Sequence, residues 1–147
     1  MTVKQTSMTP RKKILLVDDD VDDRDLLIDS MTHVNPEVEI AWAENGQQAL
    51  EYLQEMRLRE QHLPCLIVLD LNMPLLDGKA TFERLRDDQV LRQVPVVVLT
   101  SSGNPMDKEH FHSHGAGFFT KPDEFSYLQK ISVHLLSVCC RHLQPGA

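Results

Sequence analysis

Four short apolar runs in this chain each end on side chains able to do chemistry. Residues 14–17 lead into Asp18, Asp19 and Asp20; residues 66–69 into Asp70, Leu71 and Asn72; residues 96–99 into Thr100, Ser101 and Ser102; and residues 118–120 into Lys121 and Pro122. Asp18, Asp19 and Asp70 brought to one rim would repel one another, and an all-oxygen set of this kind suits a hard divalent cation. Mg2+ fits best, because it keeps several waters and uses few carboxylates together with a phosphate. Thr100 and Lys121 then offer a hydroxyl and an ammonium to phosphate oxygens, so the chemistry in reach is phosphoryl transfer. The blander reading, in which Asp18 to Asp20 merely cap a helix, leaves the acid at the end of another run unexplained.

Bringing those run-ends together demands a particular frame. Residues 14–17 are rich in branched apolar side chains, as in a buried strand, and Leu26, Leu27, Met31 and Val34 then recur at helical spacing until Asn35-Pro36. The alternation repeats with residues 38–43 as a strand, Asn45-Gly46 as a turn, and Ala49, Leu50, Leu53 and Met56 as one helix face. Residues 66–69 form the third strand, Phe82 and Leu85 mark a third helix after Met73-Pro74, and residues 96–99 read as a central strand. Asn104-Pro105 opens a fourth helix, Gly115-Ala116-Gly117 closes it before the strand 118–120, and Phe125, Leu128, Ile131, Leu135 and Val138 step by three or four. Five strands alternating with five helices predict a doubly wound α/β domain with a parallel five-stranded sheet, whose ligand site lies beyond the carboxyl ends of its strands. Residues 1–12 read as a flexible tail, 13–142 as the domain and 143–147 as a short C-terminal tail, while the charged stretch 57–64 adds a helical turn or a loop.

The four motifs ILLVDDD from Ile14, LIVLDLNMPLLDG from Leu66, VVVLTSS from Val96 and FFTKP from Phe118 together resemble the receiver domain of two-component response regulators, a CheY-like fold. The resemblance implies that Asp70 is the phosphoacceptor, taking a phosphoryl group from a phosphohistidine of a sensor histidine kinase. It implies that Asp18 and Asp19, with the main-chain carbonyl of Asn72, hold Mg2+ beside Asp70, and that Lys121 pairs with the phosphoryl group. It makes Thr100 the switch hydroxyl and Phe118 the switch aromatic, with Thr100 drawn inward on phosphorylation and Phe118 rotating into the space left. Phe118 lacks the hydroxyl of the more usual tyrosine. The Lys121-Pro122 bond is typically cis in the family, whereas sequence alone favours trans. Asp22 and Asp23 extend the first acidic cluster and read as solvated first-turn residues favoured by the helix dipole. Asn72 and Ser102 flank the site and tune hydrolysis by positioning or excluding water.

The long stretch before residue 66 and the PVVVLTSS style resemble the subgroup paired with bacteriophytochrome kinases. With five residues beyond the domain, the expected protein is a stand-alone receiver, not an enzyme beyond its own phosphotransfer and autodephosphorylation, that signals through protein contacts. Homodimerisation through the fourth helix, fifth strand and fifth helix is one such contact, with Phe111 and Phe119 near that surface.

Haloacid-dehalogenase-like phosphatases offer a competing assignment of Asp18, Asp20, Thr100 and Lys121. That assignment meets Asp22 where Thr or Val is usual, lacks a cap domain, and leaves Asp70, Asn72, Pro74, Asp77 and Gly78 idle. A receiver that only binds partners would miss an essential residue, and none is missing. His110 and His114 share a helix face, with His112 between them, but without a third ligand the trio reads as solvated histidines. Trp42 and Met56 read as core or core-edge residues.

Composition sets the remaining bounds. A chain of 147 residues, 41% hydrophobic, supports one core and excludes a multidomain enzyme. Acidic residues outnumber basic ones by 22 to 15, for a net charge of -7, so nucleic acid is not the expected partner. No signal-like stretch opens the chain and no apolar run nears the roughly 20 residues of a membrane span, so a cytoplasmic location without membrane contact is expected. Cys65, Cys139 and Cys140 show none of the paired spacings of a disulfide framework or a zinc site, which implies a reducing compartment. Of the adjacent pair, one is expected buried on a helix face and the other near solvent.

Overall fold

The structure, a computed structural model, describes residues 13–101 and 103–143, with side chains as far as Cys140. Both predicted tails, apart from residue 143, and Ser102 lie outside the described residues. The elements follow the predicted alternation: β1 (Lys13–Val17), α1 (Val21–Val34), β2 (Glu39–Ala43), α2 (Gly46–Leu58), β3 (Leu66–Leu69), α3 (Gly78–Asp87), β4 (Val96–Thr100), α4 (Pro105–Ser113), β5 (Gly117–Thr120) and α5 (Phe125–Leu143). A short 3-10 turn at Leu91–Gln93 precedes β4. In the charged stretch 57–64, α2 ends at Leu58 and the rest is loop.

All strands are parallel, in the order β2-β1-β3-β4-β5. The order reverses between β1 and β3, where Val17 pairs with Leu69, so a doubly wound sheet opens its crevice at the strand ends that carry Asp18 and Asp70. Side chains alternate across the sheet with period two. Leu15, Val17, Ile67 and Leu69 join Leu53, Phe82, Leu85 and Phe111 in one cluster. Ile14, Leu16, Leu66 and Val68 join Leu27, Met31, Leu135 and Leu136 in the other. Burial on both faces explains why β3 and β4 read as unbroken apolar runs.

Several expectations fail in packing. Trp42 is 55% exposed, not core: it lies on β2, an edge strand, and the Arg24 guanidinium sits 5.1 Å from its ring centroid. Met56 is buried as expected. Leu26 and Val34 are exposed, because the buried stripe of α1 runs through Arg24, Leu27, Ser30 and Met31. Phe111 is fully buried between Phe82 and Phe118, and Phe119 is half-buried against the α1–α5 side of the core, so Phe111 offers no docking surface.

The cysteines also need correction. Cys65, just before β3, and Cys139, on α5, are disulfide-bonded, with Cα atoms 4.9 Å apart and a sequence separation of 74. A pairing made by tertiary contact leaves no local spacing to read, and the inference of a reducing compartment loses its ground. Cys139 is buried and Cys140 is free and half-buried, as expected of the adjacent pair.

Candidate functional site

The strand ends build the site one residue at a time. The Asp18 N–H donates to the carbonyl of Ala43 on β2, and the Asp70 N–H donates to the carbonyl of Val17 on β1, both at 3.0 Å, so sheet bonding continues one residue past each apolar run. The Asp20 N–H donates to Asp18 Oδ1 at 2.9 Å, fixing that carboxylate. Asp20 itself caps α1, accepting from the Asp23 N–H at 3.1 Å, so the capping reading holds for one acid of the three. Beyond β3, Asp77 caps α3 and the Gly78 N–H donates to the Leu71 carbonyl at 3.1 Å. A Cβ on Gly78 would stand 2.4 Å from the Asp70 carbonyl oxygen, so the chain can turn this closely behind Asp70 only with glycine here.

Asp18 and Asp70 are buried and Asp19 is exposed, and one carboxylate oxygen from each lies within 4.8 Å of the others. This is the one cluster of metal-ligating side chains among the described residues, and its donors are all oxygen. Asn72 is exposed at the mouth, its N–H directed to Asp70 Oδ1 at 3.4 Å. From β5, the Lys121 N–H donates to the Thr100 carbonyl at 2.8 Å, and the side chain enters the acidic pocket. The Lys121 ammonium lies 2.8 Å from Asp18 Oδ2, 2.8 Å from Asp23 Oδ2 and 3.3 Å from Asp70 Oδ2.

Three acceptors for three N–H donors leave the ammonium fully satisfied. Burial alone would lower its pKa, but the hydrogen bonds to Asp18 and Asp23 and the charges of Asp18 and Asp70 outweigh burial and raise it. Lys121 is therefore a permanent cation. Burial pushes Asp18 up to about 6 and the Asp70 charge adds to the rise, against the pull of Lys121 and the Asp20 N–H.

Sequence reasoning placed Asp23 in solvent, and the structure brings it to Lys121 across 98 residues of chain. The one signal for this was the start of α1 at the rim, which leaves its first-turn acids close to the pocket. Thr100 is fully buried at the end of β4, and Phe118 is buried with its ring centroid 6.1 Å from that of Phe111, so the aromatic already sits inward. No described peptide bond is cis. His110 and His114 remain exposed, with ring centroids 4.5 Å apart and planes tilted by 45°, and no third ligand joins them among the described residues.

A response regulator receiver domain pattern matches residues 14–132. The chain belongs to the response regulator receiver family. Among solved receivers, the phosphorylated cyanobacterial phytochrome response regulator RcpA is 28% identical and superposes with a TM-score of 0.80, over 94% of this chain and all of RcpA. The bacteriophytochrome response regulator AtBRR is 30% identical, with a TM-score of 0.71 over 88% of this chain and 94% of that one. A protein-glutamate methylesterase/protein-glutamine glutaminase from Syntrophomonas wolfei is 34% identical over 130 residues, and this chain spans about a third of its length. Asp20, the second acid of the dehalogenase-like reading, is engaged in capping α1.

Proposed function

We propose that the protein accepts a phosphoryl group on Asp70 from the phosphohistidine of a sensor kinase. The observation that carries this reading is a buried carboxylate at the switch point of the sheet, with a second buried acid and a permanent ammonium within contact distance. An Asp70 carboxylate oxygen attacks phosphorus, the phosphorus–nitrogen bond breaks, and the imidazole leaves with the bonding pair. Lys121 pairs with the equatorial oxygens and Thr100 donates its hydroxyl to one of them.

The all-oxygen cluster fits a hard divalent cation, and Asp18, Asp19, Asp70 and the main-chain carbonyl of Asn72 would hold Mg2+. Bound there, the metal supplies neutralisation of the charge on the transferring group. Asn72 and Ser102 would govern the access of water to the acyl phosphate.

Thr100 and Phe118 form the switch, with Phe118 starting from its buried position, and the output is protein contact at α4, β5 and α5 rather than an enzymatic activity of the chain's own. Self-association there would use exposed Met106, Tyr127 and Val133 in place of Phe111. Neighbours that are phytochrome and bacteriophytochrome response regulators support a kinase partner of that class. Among the described residues no helix is long and apolar enough to cross a membrane, and the net charge of -7 disfavours nucleic acid; the charge supports action on protein partners. The domain would span residues 13–143, one residue beyond the end expected from the sequence, because α5 runs to Leu143.

Phosphate incorporation from a small phosphodonor with Mg2+, read by intact mass, tests the reading. Wild type should gain one phosphoryl group, Asp70→Asn none, and Asp18→Asn far less at equal metal. Labelling that survives Asp70→Asn but not Asp18→Asn would overturn it in favour of phosphatase-like chemistry at Asp18.

A further inference from the structure

Lys121 is held by three carboxylates with unequal duties. Asp18 and Asp70 belong to the oxygen cluster that suits a cation, whereas Asp23 does not. Asp23 lies on the first turn of α1, its backbone tied to the capping Asp20, and its carboxylate meets the Lys121 ammonium at 2.8 Å from the solvent side, with 41% of its side chain exposed.

Building on the phosphoacceptor reading of Asp70, we propose that Asp23 is a positioning residue that holds Lys121 at the pocket edge when Asp18 and Asp70 turn their oxygens to a cation and a phosphoryl group. A carboxylate oxygen bonded to an ammonium is a poorer metal ligand, because the two cations compete for the same lone pairs. With Asp23 in place, the ammonium keeps a charged acceptor after the other two are taken. Without it, Lys121 depends wholly on Asp18 and Asp70 and competes with the metal for both. Asp23 therefore sets metal affinity through Lys121 and touches neither metal nor phosphate.

The test is Mg2+ binding to the full chain by calorimetric titration, with no phosphodonor present, for wild type, Asp23→Asn, Lys121→Met and the double variant. Loss of one partly exposed charged hydrogen bond predicts a fall in Mg2+ affinity of about fivefold for Asp23→Asn. In the Lys121→Met background the same substitution should change affinity by less than about twofold, since the intermediary is gone. An equal fall in both backgrounds would mean that Asp23 acts on the metal directly through its charge and would overturn the proposal, as would no fall in either.

A second readout does not depend on the Lys121 variant folding. In metal-free wild type the Lys121 ammonium should give a slowly exchanging proton signal in nitrogen-15 spectra that survives saturation with Mg2+. In Asp23→Asn the signal should be lost on adding Mg2+, and a signal that persists there would sink the idea. Asp70→Asn labelling separates the two readings: if that variant still takes up phosphate, the phosphoacceptor assignment fails whatever the magnesium titrations show.

Discussion

On one face of the sheet, α1 and α5 are joined by the apolar cluster around Leu27, Met31 and Leu135 and by a buried hydrogen bond of 2.8 Å between Ser30 and Ser132, and the Cys65–Cys139 disulfide ties α5 to the foot of β3. On the other face, the buried side chain of α4 is Phe111, and the helix also carries an ion pair between exposed Lys79 and largely covered Asp107. The first arrangement has many interactions to break before a helix moves, and the second has few. Local opening follows the density of buried contacts, so a change at Thr100 should travel toward α4 and β5 while α1 and α5 stay as the fixed frame. Lys121 is anchored to β4 by its N–H at the Thr100 carbonyl and to α1 by its ammonium at Asp23.

The comparison breaks most visibly at Phe111. Phe111→Ala removes the ring that packs 5.0 Å from Phe82, and should cost about 3–5 kcal/mol in denaturant unfolding. Hydrogen exchange should then rise in α4 well before α1; equal exposure of both helices would mean that the two faces are not held differently. Next in size is the disulfide. Cys139→Ser, or reduction of the wild type, should cost about 2–4 kcal/mol, with a gain of mobility confined to α5 and the start of β3. Ser132→Ala strands the Ser30 hydroxyl in the core and should cost about 1–2 kcal/mol on the same denaturation curve. Lys79→Met, which leaves the largely covered Asp107 without its cation, should lower the midpoint only slightly while raising exchange at the start of α4.

A pH series sharpens the picture at the site itself. Asp18 in the folded protein titrates at about 6, above its ordinary 3.8, so the folded state holds that proton more tightly than the unfolded one. Its contribution to stability is complete below about pH 3.8 and is lost as pH rises through about 6, in protein without metal. Mg2+ binds the ionised form, so its stabilising effect on the melting temperature should be larger at pH 7 than at pH 5; an equal effect at both would remove Asp18 from the metal site.

Legibility differed between strands and side-chain partners. The apolar runs of β1, β3 and β4 and the residues that end them were readable because burial on both faces forces continuous apolar sequence, and because the ligand site of a parallel sheet sits at strand ends. Two helix openings, at Asn45 and Asn104, were readable from local residue types, and each side chain accepts a hydrogen bond from an N–H two or three residues ahead; the Asp77 cap of α3 was not read. Trp42 was misjudged because composition cannot say that β2 is an edge, and Asp23 because an acid in a first helical turn is ordinarily explained by the helix dipole alone.

What the sequence determined by itself was the alternation of elements, the doubly wound class, and the identity of the acids, hydroxyl and lysine at the strand ends, because those depend on periodicity and residue type over a few positions. Tertiary structure alone decided the strand order that makes β1 and β3 neighbours, the disulfide across 74 residues, the burial of Phe111, and the third carboxylate on Lys121. These depend on which distant segments meet, and a contact between residues that are far apart in the chain leaves no local pattern from which to read it.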